Sequence, residues 1–136
     1  MPYIAKNLKF EHKSYGTGQC VALVQAVTGA PNHTLWRAGP PVRGNTAIKP
    51  GTAIATFVDG VYPSHATGNH AAIYVSQDAK AIYVYDQWKN SRVTQPAHLR
   101  PIWFDGSHKS ISDDGNAFSV IVSPAEQAQY APAPTK

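Results

Sequence analysis

Only one stretch of this chain carries a helical pattern before the first of five strand-like runs, and that order limits the folds open to it. Gln19-Cys20-Val21-Ala22-Leu23-Val24-Gln25-Ala26-Val27 is rich in helix formers. Leu23, Val24 and Val27 lie three and four residues apart and make one apolar face. Thr28-Gly29-Ala30-Pro31 supplies the stop signals. Strand-like runs follow at Thr52–Phe57, His70–Val75, Ala81–Trp88, Leu99–Phe104 and Phe118–Val122. The polar turn 76–80 predicts a hairpin between the second and third of these. One helix followed by about five strands predicts an α+β fold with an antiparallel sheet.

The remaining segments read as connections. Gly16-Thr17-Gly18 predicts a tight loop before the helix. Residues 32–51 look irregular, with Trp36 as their anchor in the core. Residues 59–69 and 105–116 read as loops. Residues 1–123 are expected to form a single domain, with 124–136 an Ala/Pro-rich disordered tail.

The chain has 136 residues and one cysteine, so no intrachain disulfide can support the core. Hydrophobic residues make up 43% and charged residues 15%, which excludes a disordered polyelectrolyte. The net charge is +4, but the basic residues are scattered, which argues against a nucleic-acid partner. Mild basicity suits an acidic polymer or a carboxylate-bearing substrate, and equally a plain solvated surface. No segment is long and apolar enough for membrane insertion, and residues 1–10 lack the apolar region of a secretory signal. Synthesis in the cytoplasm without a signal peptide is the expectation. No histidine pair has zinc-ligand spacing and the lone cysteine excludes a Cys-rich site, so no metal and no cofactor is expected.

Cys20 falls in the first helical turn, where the helix dipole and free N–H groups favour a thiolate. Its own N–H would point toward a developing oxyanion, and the glycine loop before it would let a substrate backbone approach. The alternative is a small buried apolar residue. His70 opens a strand after Gly68-Asn69 and is the candidate base. A catalytic imidazole needs a partner for its far nitrogen. Asp86 and Gln87, on the next strand, point to opposite faces. Asp86 closes an aliphatic face with Ile82 and Val84 and is favoured, with Gln87 the alternative.

Gly18-Gln19-Cys20-Val21-Ala22-Leu23-Val24-Gln25, then Gly68-Asn69-His70-Ala71-Ala72-Ile73-Tyr74, then Tyr85-Asp86-Gln87-Trp88 resemble the papain-like NlpC and CHAP cysteine amidases, and most closely the small amidase effectors of type VI secretion. The resemblance implies a Cys-bearing helix packed on an antiparallel sheet, with Cys20 as nucleophile and His70 as base. Aligning on the tryptophan puts Gln87 in the third position; aligning on the aliphatic alternation puts Asp86 there. Gln19 becomes a candidate for oxyanion support, and Tyr15, Gly18 and Asn69 for contacts with substrate. The resemblance further implies peptidoglycan stem peptides as substrate and delivery by a secretion machine to a rival's periplasm. It also implies a cognate immunity protein, expected to contact residues 15–18 and 59–69, including Tyr62 and His65. A Cys-His protein deamidase or acyltransferase, and a non-catalytic wall-binding module, are the competing readings.

Overall fold

The structure is a computed structural model and describes residues 2–10, 13–63, 69–106 and 110–130. Helix α1 (Cys20–Thr28) is followed by six strands: β1 (Arg37–Pro41), β2 (Ala53–Thr56), β3 (Ala71–Gln77), β4 (Ala81–Lys89), β5 (Thr94–Trp103) and β6 (Phe118–Val122). A second helix, α2, spans Pro124–Tyr130. The strands form one sheet in the order β1-β6-β2-β3-β4-β5, and every neighbouring pair is antiparallel. This is the expected α+β, papain-like arrangement, with the cysteine helix packed on the sheet.

The two faces of the sheet are built from alternate residues, as the period of a strand requires. On one face Ala53, Ala55, Ala71, Ile73 and Tyr85 join Leu23 and Val24 of α1, together with Phe10 and Trp36. The run of alanines on this face keeps the sheet surface low, which lets α1 lie close to β3 and β4. Leu23 and Val24 are fully buried there, each contributing about 1.5–3 kcal/mol of burial free energy. On the other face Ile54, Ala72, Tyr74, Ile82, Val84, Ile102, Phe104 and Phe118 form a second cluster.

Glycines set both ends of α1. Gly29 closes it at φ +74°, its N–H bonded to the Gln25 carbonyl, the usual left-handed helix stop. Gly16 and Gly18 adopt φ +55° and +90° in the loop before it. A Cβ on Gly16 would stand 2.9 Å from the Ala22 Cβ, so the loop can fold back onto the helix only with glycine there.

Three expectations are corrected. Residues 37–41 form β1 rather than an irregular connection, giving six strands instead of five. The fourth expected run, Leu99–Phe104, begins earlier, at Thr94. Both strands lie at sheet edges and contain prolines: Pro40 and Pro41 in β1, Pro96 and Pro101 in β5. Proline reads as a breaker, yet an edge strand has one side that needs no N–H donor. Third, residues 124–130 are helical. Pro124 takes the first helical position, where its missing N–H costs nothing, and the Ser123 hydroxyl accepts the Glu126 N–H at 3.1 Å. Gln127 then donates to the carbonyls of Gly60 at 2.9 Å and Ala38 at 3.5 Å, docking α2 on β1. Residues 131–136 of the expected tail lie outside the described residues.

Candidate active site

Cys20 is the first residue of α1. The Ala22 and Leu23 N–H groups turn to the Gln19 carbonyl, and the thiol sits at the positive end of the helix. The preceding loop is held from the sheet. Gln87, fully buried on β4, accepts the Tyr15 N–H through Oε1 at 2.9 Å. Its Nε2 donates to the carbonyls of Tyr15 at 2.9 Å and Gln19 at 2.8 Å. One side chain thereby uses its acceptor and both its donor hydrogens to fasten the backbone on either side of the glycines.

His70 precedes β3 and is fixed through its backbone. Its N–H donates to Thr56 Oγ1 at 3.0 Å, and its carbonyl accepts the Thr56 N–H at 2.9 Å. The ring is 6% exposed and meets Phe118 edge-on, centroids 6.4 Å apart. Nε2 lies 2.6 Å from Asp86 Oδ2, which leaves Nδ1 as the nitrogen open to Cys20, whose thiol and the ring act on each other electrostatically. Burial alone would push the imidazole pKa down. The hydrogen bonds to Asp86 and Cys20, and their charges, outweigh it and hold His70 at about 9. Burial likewise raises the Cys20 thiol, but the His70 hydrogen bond and charge, the Ala71 N–H and the Tyr62 hydroxyl bring it below its ordinary value. Both shifts run in the direction of a thiolate–imidazolium pair.

Asp86 is fully buried. Burial raises its pKa, and the His70 and Arg100 partners more than reverse that, leaving it low and ionised. Arg100 reaches it from β5: Nε lies 3.0 Å from Oδ1 and 2.9 Å from Oδ2, and Nη2 lies 2.7 Å from Oδ2. Of the two candidates for the histidine's partner, the geometry brings Asp86 to the ring and sends Gln87 to the loop, on the opposite face of β4. A register shift between Asp86 and Trp88 interrupts the pairing with β5 at Gln87, and both adjacent polar side chains are buried there.

A cleft of about 560 Å³ opens over these groups. Gln19, Cys20, Asn69 and His70 line one part of it, and Trp88, Lys89, Arg100, Ser112 and Asp113 another. Gln19 is exposed, and its Nε2 donates to the Lys89 carbonyl at 3.1 Å, so its amide is turned toward β4 with one N–H to spare. Gly18 lies against the Lys89 side chain, which a Cβ would approach to 3.2 Å. Asn69 donates through Nδ2 to the Tyr62 hydroxyl at 3.1 Å. Tyr15 is placed elsewhere: it packs edge-on against Phe10 and faces a different hollow, with Lys6, Lys9 and Lys13. Among the described residues, no three of His, Cys, Asp and Glu converge as metal ligands would.

Two residues at the site were not singled out in the sequence for these positions. Arg100 bears on Asp86 across a strand pair whose register no motif announces. Tyr62, expected on an exposed loop, is 6% exposed, packed on Trp36 and Phe57, with its hydroxyl 3.9 Å from Cys20 Sγ. It is thus unavailable as a surface anchor, and His65 lies outside the described residues.

A protein-family model described as Domesticated amidase effector 2 matches residues 5–121, a span that contains Cys20, His70 and Asp86. The chain belongs to the Domesticated amidase effector 2 family. A relative named Type VI secretion amidase effector 2 protein, from Salmonella typhi, is 36% identical over 132 residues, covering 89% of this chain and 99% of that protein. Domesticated amidase effector 2 of Ixodes scapularis is 33% identical over 106 residues, covering 75% and 70%. A solved structure, Type 6 secretion amidase effector 2 (Tae2), is similar with a TM-score of 0.79 and 34% identity, over 90% of this chain and 96% of that one. Membership of the Domesticated amidase effector 2 family agrees with the NlpC/CHAP-type resemblance in both fold and class of protein.

Proposed function

We propose that this protein is a cysteine-dependent amidase of peptidoglycan stem peptides, with Cys20 as nucleophile, His70 as acid and base, and Asp86 as the group that orients His70. The observation that carries the reading is the buried His70–Asp86 pair, 2.6 Å apart, whose histidine lines one open cleft with Cys20 at the start of α1.

In this reading the Cys20 thiolate attacks the amide carbonyl carbon, and the developing oxyanion accepts the Cys20 N–H, with the spare Gln19 N–H as a second donor. The His70 imidazolium gives its proton to the departing amine, and the C–N bond breaks. The neutral ring then takes a proton from water, the hydroxide attacks the thioester, and the acid is released with the thiolate restored. Asp86 keeps one tautomer and one ring orientation throughout.

The biological setting we propose with it is synthesis in the cytoplasm, export by a type VI machine, action in the periplasm of a target cell, and a cognate immunity protein in the producer; the name of the Salmonella typhi relative, a type VI secretion amidase effector, supports it. Among the described residues no helix is long and apolar enough to cross a membrane. With a net charge of +4, an acidic immunity protein would associate faster at low salt. The test is mass spectrometry of muropeptides from sacculi treated with the pure protein. New amine and carboxyl ends within stem peptides are expected. Intact stem peptides after prolonged treatment would contradict the reading.

A further inference from the structure

We propose that Arg100 is a positioning residue of this site: it holds the Asp86 carboxylate in one orientation against Nε2 of His70. The inference rests on the reading of Cys20, His70 and Asp86 as the catalytic groups.

A carboxylate on a short side chain can swing about its last torsion, and a single hydrogen bond from an imidazole does not fix that rotation. Here Oδ2 accepts from His70 Nε2 at 2.6 Å and from Arg100 Nη2 at 2.7 Å, while Oδ1 is met by Arg100 Nε at 3.0 Å. Both oxygens are thereby gripped by a planar fork, the geometry in which guanidinium differs from ammonium. Arg100 is itself constrained. Its guanidinium lies 5.2 Å from the centroid of the Trp88 ring, and its Nη1 meets Asp113 at 3.3 Å. It stands on β5 opposite Val84, two residues along β4 from Asp86. The Arg100 side chain is 20% exposed and lines the cleft, so a direct contact with substrate is the rival role. An arginine that binds substrate and one that positions Asp86 differ in which kinetic constant they move.

Arg100→Gln removes charge and fork; Arg100→Lys keeps the charge alone. Steady-state kinetics on wall peptides, with folding checked by urea denaturation, should show kcat falling roughly 100-fold in Arg100→Gln and KM changing less than about twofold. Arg100→Lys should recover about tenfold of the loss. Because Arg100 helps hold Asp86 ionised, the Asp86 carboxyl ¹³C resonance should titrate at higher pH in Arg100→Gln than in the parent. A raised KM with kcat kept would overturn the proposal and make Arg100 a substrate contact. An unchanged kcat per folded molecule and an unmoved Asp86 titration would leave only a structural ion pair. Should Arg100→Gln fail to fold, Arg100→Lys carries the same test: a kcat equal to the parent's would refute the fork. Cys20→Ala separates the two levels. If it stays active, the catalytic reading itself fails; if it is inactive while Arg100→Gln is fully active, only the Arg100 inference fails.

Discussion

Gln87→Leu isolates what the buried amide does, because leucine nearly matches its volume and removes every polar contact. Three hydrogen bonds of 2.8–2.9 Å are lost. The Gln19 and Tyr15 carbonyls still receive the Ala22 and Gly18 N–H groups, so the Tyr15 N–H is the one group left unpaired. An unsatisfied buried group costs about 1–3 kcal/mol. Tyr15 is only half-buried, so water can reach its backbone once the loop loosens, and the low end applies: about 1 kcal/mol for that N–H. With a urea m-value of roughly 1–3 kcal/mol/M for a small domain, the midpoint should fall by about 0.3–1 M. Activity per folded molecule should fall less than about tenfold, since the amide reaches the loop that carries the thiol and not the reacting groups. Urea unfolding followed by fluorescence, with kcat/KM on the same preparation, is the assay. A midpoint within about 0.1 M of the parent would refute the clamp. So would an activity loss exceeding that of Asp86→Asn, which would place Gln87 in the reaction itself.

Asp86→Asn should fold, because the amide can still bond His70 and one Arg100 nitrogen, but kcat should fall by roughly 10²–10⁴ as the imidazolium loses its carboxylate; a loss under tenfold would remove Asp86 from the reaction. His70→Ala removes the largest of the influences that lower the Cys20 pKa and leaves burial opposed only by the Ala71 N–H and the Tyr62 hydroxyl, so the thiol pKa rises from the parent's. At pH 7 the ionised fraction of the thiol should fall, and iodoacetamide should label the variant about tenfold more slowly than the parent; equal rates would mean that His70 does not activate the thiol. The stability–pH profile tests the ion pair. His70, raised from 6.5 to about 9, contributes stability that is complete below pH 6.5 and lost as pH rises through about 9. Cys20, lowered from 9.0, contributes stability present above pH 9 and lost as pH falls through its folded value. Where these windows overlap the two slopes oppose each other. Cys20→Ala removes one of them, so above pH 6.5 its stability should fall more steeply with pH than the parent's, by up to about 1.4 kcal/mol per pH unit; parallel profiles would contradict the pair.

The site was more legible in the sequence than the edges of the fold. Cys20 announced itself by a glycine loop running into an apolar helix, and His70 by its place at the opening of a strand. The alternation Ile82, Val84, Asp86 put a carboxylate at the end of an aliphatic face, and that parity is what brings Asp86 to the histidine. The same alternation left Gln87 on the helix side, where it fastens the loop of Tyr15 and Gln19. The strands β1 and β5 were hidden or cut short by their prolines, since local sequence cannot tell a break from a free edge. Without the true start of β5 its register on β4 was unreadable, and with it the approach of Arg100 to Asp86. Tyr62 was misjudged because a polar, proline-flanked loop gave no sign that Trp36 and Phe57 would draw its ring inward.

The central claim is that Cys20 performs the reaction, and the chain offers a direct test because Cys20 is its only cysteine. Any thiol label therefore reports on that one atom. Iodoacetamide should be added in steps, with incorporation read by intact-protein mass spectrometry and wall-peptide cleavage measured on each sample. The account predicts that activity falls in proportion to label and reaches zero at one label per chain. Fully labelled protein that still cleaves stem peptides would contradict it.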